Sequence, residues 1–218
     1  MIKYLILYLA VCILFYICFI CVWNILSAYI SKKKNNEPIS YINRSNYMEY
    51  IGKKVNVSGN VNLSYLHLTK LPITFGKVGG TFDCCGNNLT SLAGCPSKVY
   101  GRFDCSYNKL TSLYGCPKSI DGGFDCSNNN LKSLKGCAKE ISGNFICYEN
   151  NLNSFKGCPS KLNKDIFCET GNLKSLKHFP KKINGSMYCT ENKMKFTEEE
   201  IRKVCLIEGD IKKINLQR

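Results

Sequence analysis

Histidine is nearly missing from this 218-residue chain, which carries only His67 and His178. Imidazole is the usual general base and a frequent neutral metal ligand, so its scarcity narrows acid–base and metal chemistry from the outset. No nucleophile elbow, phosphate-binding glycine loop or His/Glu metal motif is present either, which leaves no assembled set of catalytic groups. Acidic side chains are outnumbered, with 16 Asp+Glu against 30 Lys+Arg and a formal net charge of +14. Such an excess favours acidic partners, whether anionic headgroups, nucleic acid or an acidic protein surface. The sequence therefore implies a non-enzymatic protein with no catalytic residue, no cofactor and no metal site.

Charge of either sign is wholly absent from Tyr4 to Ile30, YLILYLAVCILFYICFICVWNILSAYI. As a helix rising about 1.5 Å per residue this run is roughly 40 Å long, more than a hydrocarbon core of roughly 30 Å needs. Tyr4, Tyr8, Trp23 and Tyr29 place amphipathic rings towards its two ends, where bilayer interfaces favour them. A cleaved signal peptide would be shorter and would end in a small-x-small site, which SAYISKKK does not supply. The expectation is a retained, single-pass transmembrane anchor. One lysine, Lys3, precedes it and Lys32, Lys33 and Lys34 follow it, so the positive-inside bias puts the rest of the chain in the cytoplasm.

Beyond a polar stretch the chain repeats itself every 21 residues. Successive copies read GTFDCCGNNLTSLAGCPSKVY from Gly80, GRFDCSYNKLTSLYGCPKSID from Gly101, GGFDCSNNNLKSLKGCAKEIS from Gly122 and GNFICYENNLNSFKGCPSKLN from Gly143; weaker copies start at Gly59, Lys164 and Gly185. Counting from the first residue of a copy, position 3 is Val61, Phe82, Phe103, Phe124, Phe145, Ile166 and Met187, and position 5 is Leu63 followed by Cys84, Cys105, Cys126, Cys147, Cys168 and Cys189. Residues two apart share one face of a strand, so each copy carries a short strand with these side chains inward. One such coil cannot bury its apolar face alone, but stacked coils bury it against each other. Position 8 carries Asn87, Asn108, Asn129, Asn150 and Asn192, and stacked asparagines there can bond the backbone of their own turn and of the next coil.

The pattern F-x-C-x-x-N-x-L-x-x-L resembles the leucine-rich-repeat motif L-x-L-x-x-N-x-L, with Phe and Cys replacing the first two leucines. The short Cys/Asn-rich copies, ending in FTEEEIRKVC, are similar to repeat proteins predicted in large bacteriophage and bacterial genomes, and the resemblance covers residues 59 to about 205. It implies an α/β-type repeat that is mainly β: a leucine-rich-repeat solenoid with short parallel strands on a concave face, few helices, and one N-terminal transmembrane helix. Val99 lies four residues before Phe103 rather than three, which suggests a bulge at strand entry. The segments are 1–30 as anchor, 31–58 as linker and N-terminal cap, 59–196 as repeats and 197–218 as C-terminal cap. Ser45 is expected to cap a short helix stopped by Gly52. Thr197-Glu198-Glu199-Glu200 reads as a capping box opening a helix with Ile201, Val204 and Cys205 inward.

Of the 15 cysteines, six at position 5 and four at position 16 recur because the repeat does. No C-x-x-C pair lies within the repeats, so zinc or iron–sulfur binding is disfavoured, and the columns read as reduced core thiols. Function is expected on the strands' outward positions. Position 4 runs Asn62, Asp83, Asp104, Asp125, Ile146, Phe167, Tyr188, with Tyr107 and Tyr148 beside it. An acidic half passing into an apolar and aromatic half suits protein recognition, although a local register shift would instead bury Ile146, Phe167 and Tyr188. The Asp83, Asp104 and Asp125 column is expected to show raised pKa values or to gather a cation. A second candidate is a basic edge formed by Lys132, Lys135, Lys156, Lys174, Lys177 and Lys195, which would suit anionic lipid and make the protein a structural or membrane-organising one. Arginine is nearly absent from that edge, which argues against specific nucleic-acid recognition. The sequence thus implies a membrane-anchored scaffold for an unidentified protein partner.

Overall fold

The computed structural model describes residues 20, 22–23, 39–190 and 195–214. The chain divides into two units, Met1–Pro38 and Ile39–Arg218. Of the anchor expected over 4–30, residues 20, 22 and 23 are helical and the rest lies outside the described residues. Among the described residues no helix is long and apolar enough to cross a membrane.

The second unit is a parallel β-solenoid, mainly β with few helices. Its main sheet has eight parallel strands: Val61–Asn62, Phe82–Asp83, Phe103–Asp104, Phe124–Asp125, Phe145–Ile146, Ile166–Cys168, Met187–Thr190 and Ile211–Ile214. Each pairs with the strand one coil on, Phe82 opposite Phe103 and Phe103 opposite Phe124. The repeat period is thus the distance the chain travels to lie beside itself. The inward columns are buried as their alternation requires, with Phe82, Phe103 and Phe145 at 0% exposure. Ring centroids of Phe103–Phe124 and Phe124–Phe145 stack at 5.3 and 5.4 Å. Each such ring removed from water contributes roughly 1.5–3 kcal/mol.

A second line of strands closes each coil. Lys54–Val57, Thr74–Val78, Lys98–Val99, Ser119–Ile120 and Glu140–Ile141 form one parallel sheet, and Lys161–Leu162, Lys182–Ile183 and Leu206–Ile207 form another. Between the two, Asn163 Nδ2 donates to the carbonyl of Ile141 at 3.1 Å. The spacing of Val99 from Phe103 therefore reflects a corner between two sheets, not a bulge: Val99 is buried in one sheet, and the chain turns at Gly101 before entering the other. Glycine is required there because coils touch backbone to backbone. The Gly101 N–H donates to the carbonyl of Gly80 at 3.0 Å, and a Cβ on Gly101 would lie 2.7 Å from that carbonyl carbon.

The asparagine column holds from Asn87 to Asn150, with its bonds directed to the preceding coil rather than the next. Asn108 Oδ1 accepts from the Leu89 N–H, and its Nδ2 donates to the carbonyls of Cys84, Cys105 and Ser106. Asn129 and Asn150 repeat the arrangement one and two coils on. Asn192 lies outside the described residues.

The N-terminal end differs from the expected cap, and the C-terminal one keeps it except at Val204. The N-terminal turn is a 3-10 helix, Tyr47–Tyr50, preceded by Asn46, and no side chain caps it. Ser45 instead donates to Asn43 Oδ1 at 2.7 Å, while Gly52 takes the left-handed φ of +75° expected of a stop. At the other end Thr197 and Glu200 form the capping box of the helix Glu198–Val204. Ile201 and Cys205 are buried, but Val204 is 46% exposed. The chain then adds two more strands, so that Met187 faces Ile211, 24 positions on. The outermost strand of the main sheet carries Lys212 and Lys213, charges that discourage pairing with another chain.

Candidate functional site

Outward residues of the main sheet form one continuous column. Register pairs Asn62 with Asp83, Asp83 with Asp104, Asp104 with Asp125, Asp125 with Ile146, Ile146 with Phe167, Phe167 with Tyr188, and Tyr188 with Lys212. No register shift occurs along these pairs, so Ile146, Phe167 and Tyr188 stand on the face opposite the core, each half-buried by its neighbours. Phe167 and Tyr188 stack at 4.6 Å with their planes 7° apart, and Lys212 Nζ lies 5.9 Å from the Tyr188 ring centroid. Tyr107 projects at 59% exposure from a left-handed backbone position, φ 52°, and Tyr148 is half-buried beside the column.

The acidic half is built differently from a free carboxylate row. In each coil one oxygen of the position-4 side chain closes a turn. Asp104 Oδ1 accepts from the Ser106 N–H and hydroxyl at 3.0 and 2.6 Å, and Asp125 Oδ1 from Ser127 at 3.0 and 2.7 Å. Asn62 does the same for Ser64, and Asp83 accepts from the Cys85 N–H. The remaining oxygens of Asp104 and Asp125 are both held by Arg102 Nη2 at 2.8 Å. The cation that the sequence suggested for this column is thus in part a side chain of the protein itself. Arg102, which sequence reasoning passed over, was visible only as the one arginine among the regular copies.

Asp125 is 7% exposed, and burial pushes its carboxyl above the usual range. Asp104 pushes in the same direction, while Ser127 and Arg102 oppose it. Asp83, Cys85 and Asp104 place one ligand atom each within 4.8 Å of one another, enough to hold a metal ion. Burial, then the hydrogen bond to Asp83, drives the Cys85 thiol up to about 12. It therefore stays protonated at neutral pH in the metal-free protein, and an ion held here would have to displace that proton.

The basic edge is exposed throughout. Lys132, Lys135, Lys156, Lys174 and Lys177 form no ion pair among the described residues, whereas Lys195 Nζ donates to the carbonyl of Leu173 at 2.9 Å. The cysteines at position 5 are buried, those at position 16 are half-buried, and all those described are free thiols. No protein-family model matches the chain, and no curated protein or solved structure matches it either.

Proposed function

We propose that this chain is a membrane-anchored scaffold of the leucine-rich-repeat type, which recognises a protein partner through the outward, concave side of its main sheet. The observation that carries the reading is the unshifted column from Asp83 to Lys212. It changes along its length from hydrogen-bonded acid to stacked aromatic to lysine, while the inward columns beside it stay apolar throughout. A repeat under packing constraint alone has no reason to vary outward in blocks. Half-buried rings flanked by fixed charges are the side chains that recognition surfaces use as anchors. The Asn bonding within F-x-C-x-x-N-x-L supports the repeat class, and the uncharged run from Tyr4 to Ile30 supports the anchor, with the repeats on the cytoplasmic side. Arg102 holds the Asp104 and Asp125 carboxylates, and the Cys85 thiol is kept protonated, so recognition without catalysis is the reading that fits.

Phe167→Ala combined with Tyr188→Ala is expected to abolish capture of the partner by the full chain in cells, read by proximity labelling. The circular dichroism spectrum and protease resistance should stay unchanged. Equal labelling by the wild type and the double variant would overturn the reading.

A further inference from the structure

We infer that the lysine-rich side of the last coils lies flat against an anionic lipid bilayer. Lys135, Lys156 and Lys177 occupy the same position in successive coils, and Lys132 and Lys174 occupy a neighbouring one on either side of Asn153. The stacking is fixed by backbone bonds from the Asn153 N–H to the Lys132 carbonyl and from the Lys174 N–H to the Asn153 carbonyl, each 3.1 Å. Adjacent coils are about 4.8 Å apart, so the lysines form two rows well inside one another's unscreened range.

Among the described residues no carboxylate pairs with them. The stretches 130–139, 151–164 and 171–186 contain no Asp or Glu. The acids of these coils, Asp125, Glu140, Glu149, Asp165 and Glu169, sit on or beside the strands instead. Crowded like charges without counter-ions are self-repelling, and an opposing anionic surface relieves that repulsion. On the same edge the earlier coils carry Thr90, Ala93, Thr111 and Tyr114, so the charge is confined to one end. Tyr114, 66% exposed at the border, has the polar-tipped ring that suits a headgroup layer.

Three features select lipid over nucleic acid. The rows contain lysine and no arginine, a residue that attracts charge without reading a base edge. No exposed aromatic ring is interleaved with these lysines for bases to stack on: Phe155 and Phe179 are buried, and Tyr114 stands only at the border. They extend over three successive coils on one edge, a broad array that a headgroup layer can meet at once. The choice of a bilayer rests on the reading of residues 4–30 as an anchor, which would keep the solenoid beside one.

The test uses the full chain with vesicles of phosphatidylcholine alone or mixed with phosphatidylglycerol, and an amine-reactive reagent read residue by residue by mass spectrometry. Modification of Lys132, Lys135, Lys156, Lys174 and Lys177 should slow about fivefold or more on the anionic vesicles. It should recover in high salt, while Lys54 and Lys77 on the second sheet stay unchanged. Lys135→Glu with Lys156→Glu should remove the protection at the other three. Equal modification on both vesicles would overturn the inference, as would protection by added RNA but not by anionic vesicles. Alkaline extraction from phosphatidylcholine vesicles reports on the anchor separately. A chain that is extracted yet still protected on anionic vesicles loses the anchor and keeps the lysine contact.

Discussion

The coils from Gly80 to Asn163 and those after Lys164 share one architecture but divide its tasks. In the earlier group all four coils share a phenylalanine stack and an unbroken asparagine ladder, and the first three also carry a serine or cysteine turn closed by an outward aspartate. In the later group Ile166 and Met187 replace the rings, and Gly171 ends the asparagine ladder. Pairing there is reinforced by an exposed Lys182–Glu208 ion pair, and the last coil adds three residues to its step. Stacked rings and buried amides are the stronger interactions, while an exposed ion pair contributes little. Stability is therefore concentrated in the regular coils. The aromatic pair belongs to the later ones, while the lysine rows start in the regular coils at Lys132 and run on to Lys177.

That contrast can be broken most directly by comparing one inward and one outward ring. Phe103→Ala should cost about 3–5 kcal/mol in denaturant unfolding, because the cavity is walled by neighbouring rings and cannot collapse. Phe167→Ala should cost less than about 1.5 kcal/mol, mostly the lost stacking on Tyr188. Equal losses would make Phe167 a core residue and remove the distinction between the two faces. Next in size, Asn108→Ala should cost about 3 kcal/mol, since it leaves the Leu89 N–H and three carbonyls to find other partners. A loss under about 1 kcal/mol would mean that water replaces the ladder and that the regular coils owe it little.

Smaller, and dependent on pH, is the effect of Arg102. Because burial raises the Asp125 carboxyl, the native state takes up its proton at a higher pH than the unfolded chain does. The ionised group therefore costs stability at neutral pH, and that cost is relieved as pH falls through the folded value. Arg102→Met removes an opposing cation and raises the carboxyl further. The variant should lose about 1 kcal/mol near neutrality, discounted because the guanidinium is half-exposed, and less in acid. Thermal midpoints of both proteins across pH check this, and a difference independent of pH would sink it. Smallest of all is a change in reactivity without a change in stability. Cys85 should be alkylated slowly at neutral pH despite its partial exposure, and Asp83→Asn should speed it severalfold by lowering the thiol from about 12. Rates that do not differ would show that access, not ionisation, limits the reaction.

Much of this was legible because a period of 21 residues makes each column a repeated experiment. Inward Phe and Cys, the asparagine bonds and the Thr197 capping box all follow from residue type and spacing. The second line of strands was not legible. Pairs such as Lys98–Val99 or Ser119–Ile120 are too short to show alternation, and only stacking reveals them. The Ser45 cap failed because Asn43 offers that hydroxyl a nearer acceptor. Arg102 spans two coils to reach Asp125, a contact that no local pattern announces. The continuation of the main sheet by Ile211–Ile214 was hidden by the helix inserted before it, which carries the chain out of step with the period.

The constant step between neighbours, Val61 to Phe82 to Phe103 and onward to Met187, carries a consequence for how such a molecule changes over generations. A duplication or deletion of one whole coil would leave every ring, amide and corner glycine meeting its counterpart, whereas a slip of a single codon would turn an entire column inside out. Length here is inherited in whole units. The ends, with their odd steps, are the places where counting stops.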